Sequence, residues 1–178
     1  MAKKKRALFI GRFQPPHNGH LEAIKKILGE NDEIIIVVGS AQSSHSLDNP
    51  FTAGERILML RSLLREERLD LDRCYVIPLP DAEMHAVWVA KVMAYSPPFD
   101  VVYSNEPLTR RLFEEMGFSI GSIPLFHRDI YDATKIRRRM LADEEWESLL
   151  PSCVASLVKE FDGVGRLRAI SKSDKKED

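Results

Sequence analysis

One uninterrupted apolar run, IIIVV at residues 34–38, constrains the fold of this chain more than any other feature of its sequence. The run does not alternate with polar residues, so it predicts a strand that is covered on both faces and lies centrally in its sheet. Shorter runs with strand character lie at 7–10, 75–78, 101–104 and, more weakly, 124–126. Stretches of helical period separate these runs. The alternation predicts an α/β fold built around an open parallel sheet.

Length and composition limit the class of protein. A chain of 178 residues has the size of about one domain, so we expect residues 1–170 to form a single domain and the polar segment 171–178 to be a disordered tail. The net charge of -1 argues against nucleic acid as a partner. No apolar run reaches the roughly 18 residues of a membrane span, and the basic N-terminus is followed by too short an apolar stretch for a signal peptide. Cys74 and Cys153 have no Cys or His at metal-ligand spacing, which predicts a cytoplasmic protein without a disulfide framework or a zinc site.

The loop after the first predicted strand is the strongest candidate for chemistry. It reads GRFQPPHNGH over residues 11–20, and a helix is predicted to follow at once. Ligands bind at the carboxyl ends of parallel strands, and a helix start presents free amides and a positive dipole end, so this segment predicts an anion site. It has neither the Gly-Lys-Ser/Thr of a P-loop nor the spacing of the dinucleotide fingerprint.

His17 and His20 are the candidate phosphate ligands of this loop. They lie three residues apart, on one face of the first helical turn, where both rings can donate to the same group. Two alternatives stay open. A metal site would need a third ligand, and no nearby carboxylate stands at a suggestive spacing. A purely structural role for the two rings is the other alternative.

Two further helix starts are visible in the sequence. The TAGE segment that ends at Glu55 fits a capping box, which explains this glutamate without a catalytic role. Residues 131–140, YDATKIRRRM, are predicted to form a second loop-to-helix entry with Asp132 as N-cap. Thr134 and Arg137 would share a face there. A solvated basic helix start is the alternative explanation for the three adjacent arginines.

These segments together resemble a known family. The motifs that carry the likeness are Gly-Arg-Phe-Gln-Pro-x-His-x-Gly-His from residue 11, GSAQ from residue 39, NPFTAGER from residue 49, and Thr-x-x-Arg from residue 134. Over residues 6–168 the chain is similar to the archaeal-type nicotinamide mononucleotide (NMN) adenylyltransferases, which belong to the nucleotidyltransferase superfamily with a His-x-Gly-His motif. The resemblance implies the nucleotidyltransferase fold, a Rossmann-like open parallel sheet with helices on both faces.

The resemblance also implies an enzyme of NAD biosynthesis. Such an enzyme binds ATP and NMN, transfers the adenylyl group to the mononucleotide and releases pyrophosphate, with Mg²⁺ accompanying ATP. The acceptor phosphate is already an anion, so positioning and charge stabilisation suffice and no side-chain base is needed. Members of the family are commonly homo-oligomers, often hexamers, and the resemblance makes that the expectation here, with no nucleic acid or membrane as partner.

The site residues that the resemblance implies fall into three groups. Transfer is assigned to His17, His20, Thr134 and Arg137. ATP binding is assigned to Gly11, Arg12, Phe13, Gln14, Gly19, Ser104, Asn105 and Tyr131. Binding of the acceptor is assigned to Ser40, Gln42, Asp81, His85 and Trp88. Trp88 would stack on the pyridinium ring, with ordinary core packing as its alternative. No protein ligand to the metal is expected, because water and phosphate oxygens can hold the Mg²⁺.

Several positions depart from the family pattern. The usual Ser-Gly-Asn-Pro reads Ser-Asn105-Glu106-Pro, the usual Ser-Gly-Thr-Glu reads Asp-Ala133-Thr-Lys135, a frequent Asn is His85, and a basic residue of some relatives is Asp48. These positions surround nucleotide recognition, so they bear on substrate identity, including amide against acid mononucleotide, more than on reaction type. Two alternatives to the main hypothesis are a superfamily transferase with a flavin, pantetheine or polyol phosphate acceptor, and a nucleotide-binding module without turnover.

Overall fold

The computed structural model describes residues 4–124 and 130–173. Within these ranges the chain forms one sheet of five parallel strands in the order β3-β2-β1-β4-β5. The strands are β1 (Arg6–Gly11), β2 (Glu33–Val38), β3 (Cys74–Pro78), β4 (Val101–Tyr103) and β5 (Ser119–Gly121). The chain moves outward from β1 to β3 and then crosses to the other side of β1. Strand order therefore reverses between β1 and β4, which in open α/β sheets is where ligands bind.

Seven α-helices accompany the sheet in the described ranges. They are α1 (Asn18–Glu30), α2 (Ala53–Glu66), α3 (Trp88–Tyr95), α4 (Pro107–Glu115), α5 (Ala133–Ala142), α6 (Ser152–Glu160) and α7 (Gly163–Ser173). Alternate residues of each inner strand enter opposite cores: Ile34 and Ile36 pack in the core with α1, α2, α5, α6 and α7, whereas Ile35 and Val37 pack in the core with α3 and α4. Helices thus cover both faces, which confirms the predicted fold class.

The strand predictions hold for four of the five strands. All six residues of β2 are buried, and β2 lies inside the sheet between β1 and β3, although β1 takes the central place. The fifth strand of the sheet differs from the prediction. The structure forms β5 at Ser119–Gly121, which the sequence did not indicate. Of the predicted strand at 124–126, Pro124 has no strand pairing and 125–126 lie outside the described residues. The three-residue SIG segment carries little β signal of its own, and Gly121 packs directly beneath the ring of Tyr103 on β4.

Other predictions concern the termini and the thiols. Helix α7 continues through Ser173, into the segment predicted to be a tail, and residues 174–178 lie outside the described part. Cys74 and Cys153 are free thiols. Among the described helices, none combines the length and the apolar character needed to cross a bilayer.

Candidate active site

Two adjoining cavities open where strand order reverses, at the carboxyl ends of β1 and β4. The first has a volume of about 390 Å³ and the second of about 350 Å³. They share a wall formed by Ile10, Arg12, Ser104 and Glu106. Two ligands bound side by side in these cavities would meet at that wall.

The two cavities separate the predicted site residues into two groups. The first cavity is lined by the predicted transfer and ATP residues Arg12, His17, Gly19, His20, Ser104, Asn105 and Tyr131. The second is lined by the predicted acceptor residues Ser40, Asp81, His85 and Trp88, together with Gly11 and Arg12. Five predicted residues line neither cavity: Phe13, Gln14, Gln42, Thr134 and Arg137.

His17 and His20 cap α1 through each other. The N–H of His20 donates to Nδ1 of His17 at 3.3 Å, and the N–H of His17 donates to Nδ1 of His20 at 3.2 Å. The rings stack with centroids 3.7 Å apart. Because both Nδ1 atoms accept, the proton of each neutral ring is on Nε2. The structural role and the ligand role of this pair are therefore compatible, since the cap leaves one N–H donor on each ring.

Burial keeps both rings neutral. Desolvation lowers the pKa of His17 to about 4, although the nearby Asp132 carboxylate acts in the opposite direction. Burial also lowers the pKa of His20 well below its ordinary value, and the neighbouring His17 adds to this effect. At neutral pH the pair thus serves as hydrogen-bond donors and does not add positive charge.

Gly19 allows the first cavity to form beside this pair. A Cβ at Gly19 would lie 3.0 Å from Cβ of Tyr131 and 3.1 Å from Nδ1 of His17. The rings of Tyr131 and His17 lie nearly parallel, with centroids 6.4 Å apart. The next residue, Asp132, caps α5 as predicted by accepting from the N–H groups of Thr134 and Lys135. Burial raises the pKa of Asp132, but these hydrogen bonds outweigh it and the net pKa is lowered.

Phe13 and Gln14 hold the loop after β1 in place from its buried side. Phe13 is buried, has a left-handed backbone with φ of 53°, and packs its ring on Gly11 and 4.7 Å from the ring of His20. The Gln14 side chain is also buried and bonds both the N–H and the carbonyl of Phe51 at 2.9 and 2.8 Å. These contacts fix the loop against the start of α2.

Arg137 is also buried outside the cavities. Its guanidinium donates to the carbonyls of Leu47 at 2.8 Å and Gln14 at 3.0 Å, and to the Asp48 carboxylate at 3.1 Å. It also donates to the Thr134 hydroxyl at 3.3 Å, so these two residues share a face as predicted. Their direct contact with phosphate stays a prediction, because the structure uses the arginine to hold together two loops that border the site.

The predicted acceptor residues assemble around Asp81. Its carboxylate accepts from the Ser40 N–H and hydroxyl at 3.2 and 3.1 Å and from the Gln42 amide at 2.8 Å. The Gln42 carbonyl oxygen in turn accepts from the Asp81 N–H at 3.0 Å. Gln42 therefore positions the carboxylate from outside the cavity. Trp88 begins α3, where its partly buried ring also packs on the second core.

The start of α4 forms the other side of the shared wall. The Glu106 carboxylate caps this helix by accepting from the N–H groups of Leu108 and Thr109. Burial raises the pKa of Glu106, but hydrogen bonds from Thr109 and Leu108 outweigh it, so the carboxylate is ionised at neutral pH. The hydroxyl of the buried Ser104 accepts from the Glu106 N–H at 3.1 Å.

Sequence reasoning did not single out Arg56, which lies directly below both loops. Its side chain is fully buried in the first turns of α2. The signal was present in the spacing: residues 56, 59, 60, 63 and 64 are the buried positions of α2, and the first of them is an arginine. An arginine at one of the apolar positions of a helix face therefore predicts a buried charge.

Comparison with known proteins agrees with this geometry. Residues 8–139 match the cytidylyltransferase-like family. The chain is 51% identical to the nicotinamide-nucleotide adenylyltransferase of Archaeoglobus fulgidus, over 95% of this chain and 99% of that one, and 48% identical to that of Methanolobus tindarius, over 96% and 97%.

A solved structure has the same fold. A bifunctional NMN adenylyltransferase/ADP ribose pyrophosphatase from Francisella tularensis, crystallised with AMP and a manganese ion, superposes with a TM-score of 0.77 at 24% identity. The match covers 96% of this chain and 54% of that one. On the sequence matches, the chain belongs to the cytidylyltransferase-like family and, within it, to the archaeal-type nicotinamide-nucleotide adenylyltransferases.

Proposed function

We propose that this protein transfers the adenylyl group of ATP to NMN, giving NAD and pyrophosphate. The observation that carries the proposal is the pair of cavities with a common wall at Arg12, Ser104 and Glu106. One cavity offers donors suited to a polyphosphate and the other offers an aromatic ring and carboxylates suited to a pyridinium ring. The curated relatives, with nearly the same length and about half of their residues identical, bear the name of this activity.

ATP would occupy the first cavity. The Nε2–H groups of His17 and His20 and the start of α1 face this space and can donate to the α- and β-phosphates. Arg12 would hold a phosphate at the wall, and Ser104, Asn105 and Tyr131 would border the nucleoside.

NMN would occupy the second cavity. Its ring would lie on Trp88, where a cation over an indole face is stabilised. Asp81, ordered by Ser40 and Gln42, and the adjacent His85 would border the carboxamide. The mononucleotide phosphate would then point toward Arg12 at the common wall.

In the reaction, an oxygen of the NMN phosphate attacks the α-phosphorus of ATP. A new P–O bond forms while the bond to the β-phosphate oxygen breaks, and pyrophosphate leaves with that electron pair. Neither step requires a side chain to remove a proton. Neutral, pre-oriented donors such as His17 and His20 stabilise the charge that spreads over the transferring phosphoryl group.

A divalent cation, proposed here as Mg²⁺, fits this site if it arrives with the nucleotide. Among the described residues, no cluster of three acidic, histidine or cysteine side chains could hold a metal alone. Glu106 and Asp132 line the first cavity, and both already accept from backbone N–H groups. Such a cation neutralises phosphate charge when bound. The residues of the first cavity therefore suit a cation that is held by phosphate and water, with the carboxylates of Glu106 and Asp132 nearby.

We propose in addition that the protein acts in the cytoplasm and forms a homo-oligomer. Met84, Val87 and Leu108 are exposed apolar residues, and each lies in or next to the segments that line the second cavity. Exposed apolar side chains of this kind are common at protein interfaces. We expect a homo-oligomer, with the hexamer that the family resemblance implies as its first candidate, and light scattering on the purified protein measures this directly.

The decisive experiment measures pyrophosphate release with ATP or CTP against a panel of phosphate acceptors. The panel comprises NMN, nicotinate mononucleotide, flavin mononucleotide, phosphopantetheine and a polyol phosphate. We expect ATP with NMN to give the highest kcat/KM. A preference for CTP or another acceptor would favour another transferase of the superfamily, and tight nucleotide binding without pyrophosphate release would favour a binding module.

A further inference from the structure

Arg56 places a buried positive charge behind the loops that line the two cavities. Its guanidinium donates to the carbonyls of Arg12 and Gly39, each at 2.8 Å, and of Ser40 at 3.1 Å, while Nε donates to the Thr52 carbonyl at 3.2 Å. Arg12 lines both cavities, and Gly39 and Ser40 line the second. One side chain thus ties together the loops that leave β1 and β2 directly below the proposed ligands.

The acceptors of Arg56 are neutral carbonyls, and among the described residues it forms no ion pair with a carboxylate. Asp81 is close enough to favour the charged form and Arg12 to disfavour it, but burial dominates and lowers the pKa of Arg56 to about 10. The group is therefore charged at neutral pH. Burying an unpaired charge costs free energy that neutral hydrogen-bonding groups of similar size would not cost.

The chain contains a second arginine with a similar bonding pattern in a different place. Arg73 donates to the carbonyls of Asp32, Leu28 and Asn31, at the opposite edge of the sheet, where β2 begins. It is only partly buried and lines neither cavity. Arg73 shows what a purely structural arginine of this kind looks like, and it supplies a matched control.

We propose that Arg56 is a positioning residue for phosphate: its hydrogen bonds to the carbonyls of Arg12, Gly39 and Ser40 fix the guanidinium, and this fixed charge stabilises the phosphates of both ligands. This inference rests on the proposed function for the identity of the ligands. The charge lies in a medium of lower polarity than water, so solvent screens it less than that of the exposed Arg12. It also offsets the Asp81 carboxylate, which would otherwise repel a phosphate in the second cavity.

The test measures binding of three probes by calorimetry to the full-length protein. The probes are inorganic pyrophosphate, NMN, and nicotinamide riboside, which keeps the pyridinium cation and lacks the phosphate. In Arg56→Met we expect pyrophosphate and NMN to bind about tenfold more weakly, whereas the riboside stays within about twofold of wild type. Arg73→Met should leave all three affinities unchanged even where it lowers Tm. An equal loss for riboside and NMN would overturn the proposal, because it would show a structural effect only.

Arg56→Lys tests the charge itself if the Met variant does not fold. A lysine buried at this site, with Asp81 and Arg12 as its charged neighbours, has a depressed pKa and loses its proton as pH rises. NMN and pyrophosphate affinities of this variant should therefore fall several-fold between pH 7 and about pH 9, a range in which Arg56 of the wild type stays charged, relative to wild type at each pH. Parallel profiles for the two proteins would contradict the inference. Because pyrophosphate binding needs no acceptor, these outcomes are distinguishable from a failure of the proposed reaction.

Discussion

Arg137 and Asp48 form an ion pair that joins α5 to the loop after β2, with Nη2 and Oδ1 3.1 Å apart. The arginine side chain is 5% exposed and the aspartate side chain 75% exposed, so the buried arginine is the fixed member of the pair. Hydrogen bonds to the carbonyls of Gln14 and Leu47 hold the guanidinium whether or not Asp48 is charged. At position 48, where the resemblance gives some relatives a basic residue, this chain thus has an acidic one that pairs with Arg137.

Arg137→Lys is expected to damage the enzyme, whereas Arg138→Lys is expected to have little effect. A lysine cannot reproduce the planar fork that reaches Gln14, Leu47 and Asp48 together, so the loop that carries the histidines loses its support. We expect kcat/KM for ATP to fall by roughly tenfold to a hundredfold and Tm by several degrees. Arg138 is exposed on the same helix and serves as the matched control. Equal losses in the two variants would show that only net charge matters at this helix start.

His17 predicts a dependence of stability on pH. Its pKa is about 4 in the folded protein and near 6.5 when unfolded, so between these values the unfolded chain binds more protons. The contribution is fully present above about pH 6.5 and is lost as pH falls toward 4, for a total of about 3 kcal/mol. Urea unfolding at several pH values measures it. The variant His17→Asn, which keeps an N-cap side chain, should show a flatter profile. An unchanged profile would mean that this ring does not carry the effect.

His20→Ala is expected to lower kcat much more than it weakens ATP binding. The ring is neutral at the pH of the assay, lines the first cavity and keeps an Nε2–H that the helix cap does not use, so we expect its main contribution to be to charge that develops during transfer. We expect a loss in kcat of about 100-fold. Calorimetry of ATP binding and pre-steady-state turnover separate the two effects. Near-normal turnover would remove His20 from the mechanism.

Local signals explain which parts of this molecule the sequence could predict. Thr52 and Glu55 form the predicted capping box, and Asp132 caps α5, because each bonds within three residues of itself. The strands that begin at Arg6 and Glu33 follow from their apolar runs. Most of the predicted ATP and acceptor residues that line a cavity lie in separate cavities, although Gly11 lies in the acceptor cavity and the role of each residue stays a prediction.

Contacts between distant segments explain what the sequence could not predict. The environment of Arg137 depends on Gln14, 123 positions away in sequence, and that of Arg56 on the ends of β1 and β2. Neither relationship has a local pattern. The same holds for Phe13 and Gln14, which belong to the motif but face the core, because a motif gives the residues of a loop and not the side on which each one packs.

Trp88→Ala is expected to raise KM for NMN by about tenfold while KM for ATP stays close to wild type. The indole lines the second cavity only, so its loss removes a contact to the acceptor. Because the ring also packs on the second core, Tm should fall as well. Trp88→Phe keeps an aromatic face and should recover most of the NMN affinity. If only Tm changes in the alanine variant, the tryptophan is a core residue and not a ligand contact.

Glu106→Gln is expected to narrow the preference of the enzyme for NMN over nicotinate mononucleotide. Two carboxylates, of Asp81 and Glu106, line the acceptor cavity, and among the described residues neither forms an ion pair with a lysine or arginine. Asp81 borders the proposed carboxamide position and Glu106, at the common wall, adds negative charge to the same cavity, so the carboxylate of the acid mononucleotide would meet like charge.

Wild type should therefore prefer the amide, and the ratio of kcat/KM values for the two acceptors should fall about threefold to tenfold in Glu106→Gln. Glutamine keeps an oxygen to cap α4, so the helix start is preserved. Glu115→Gln removes the same charge from the other end of α4, where Glu115 pairs with Arg111 outside the cavity, and should leave the ratio unchanged. A wild-type enzyme that uses both acceptors equally would show that the charge of these carboxylates does not act on the carboxamide position.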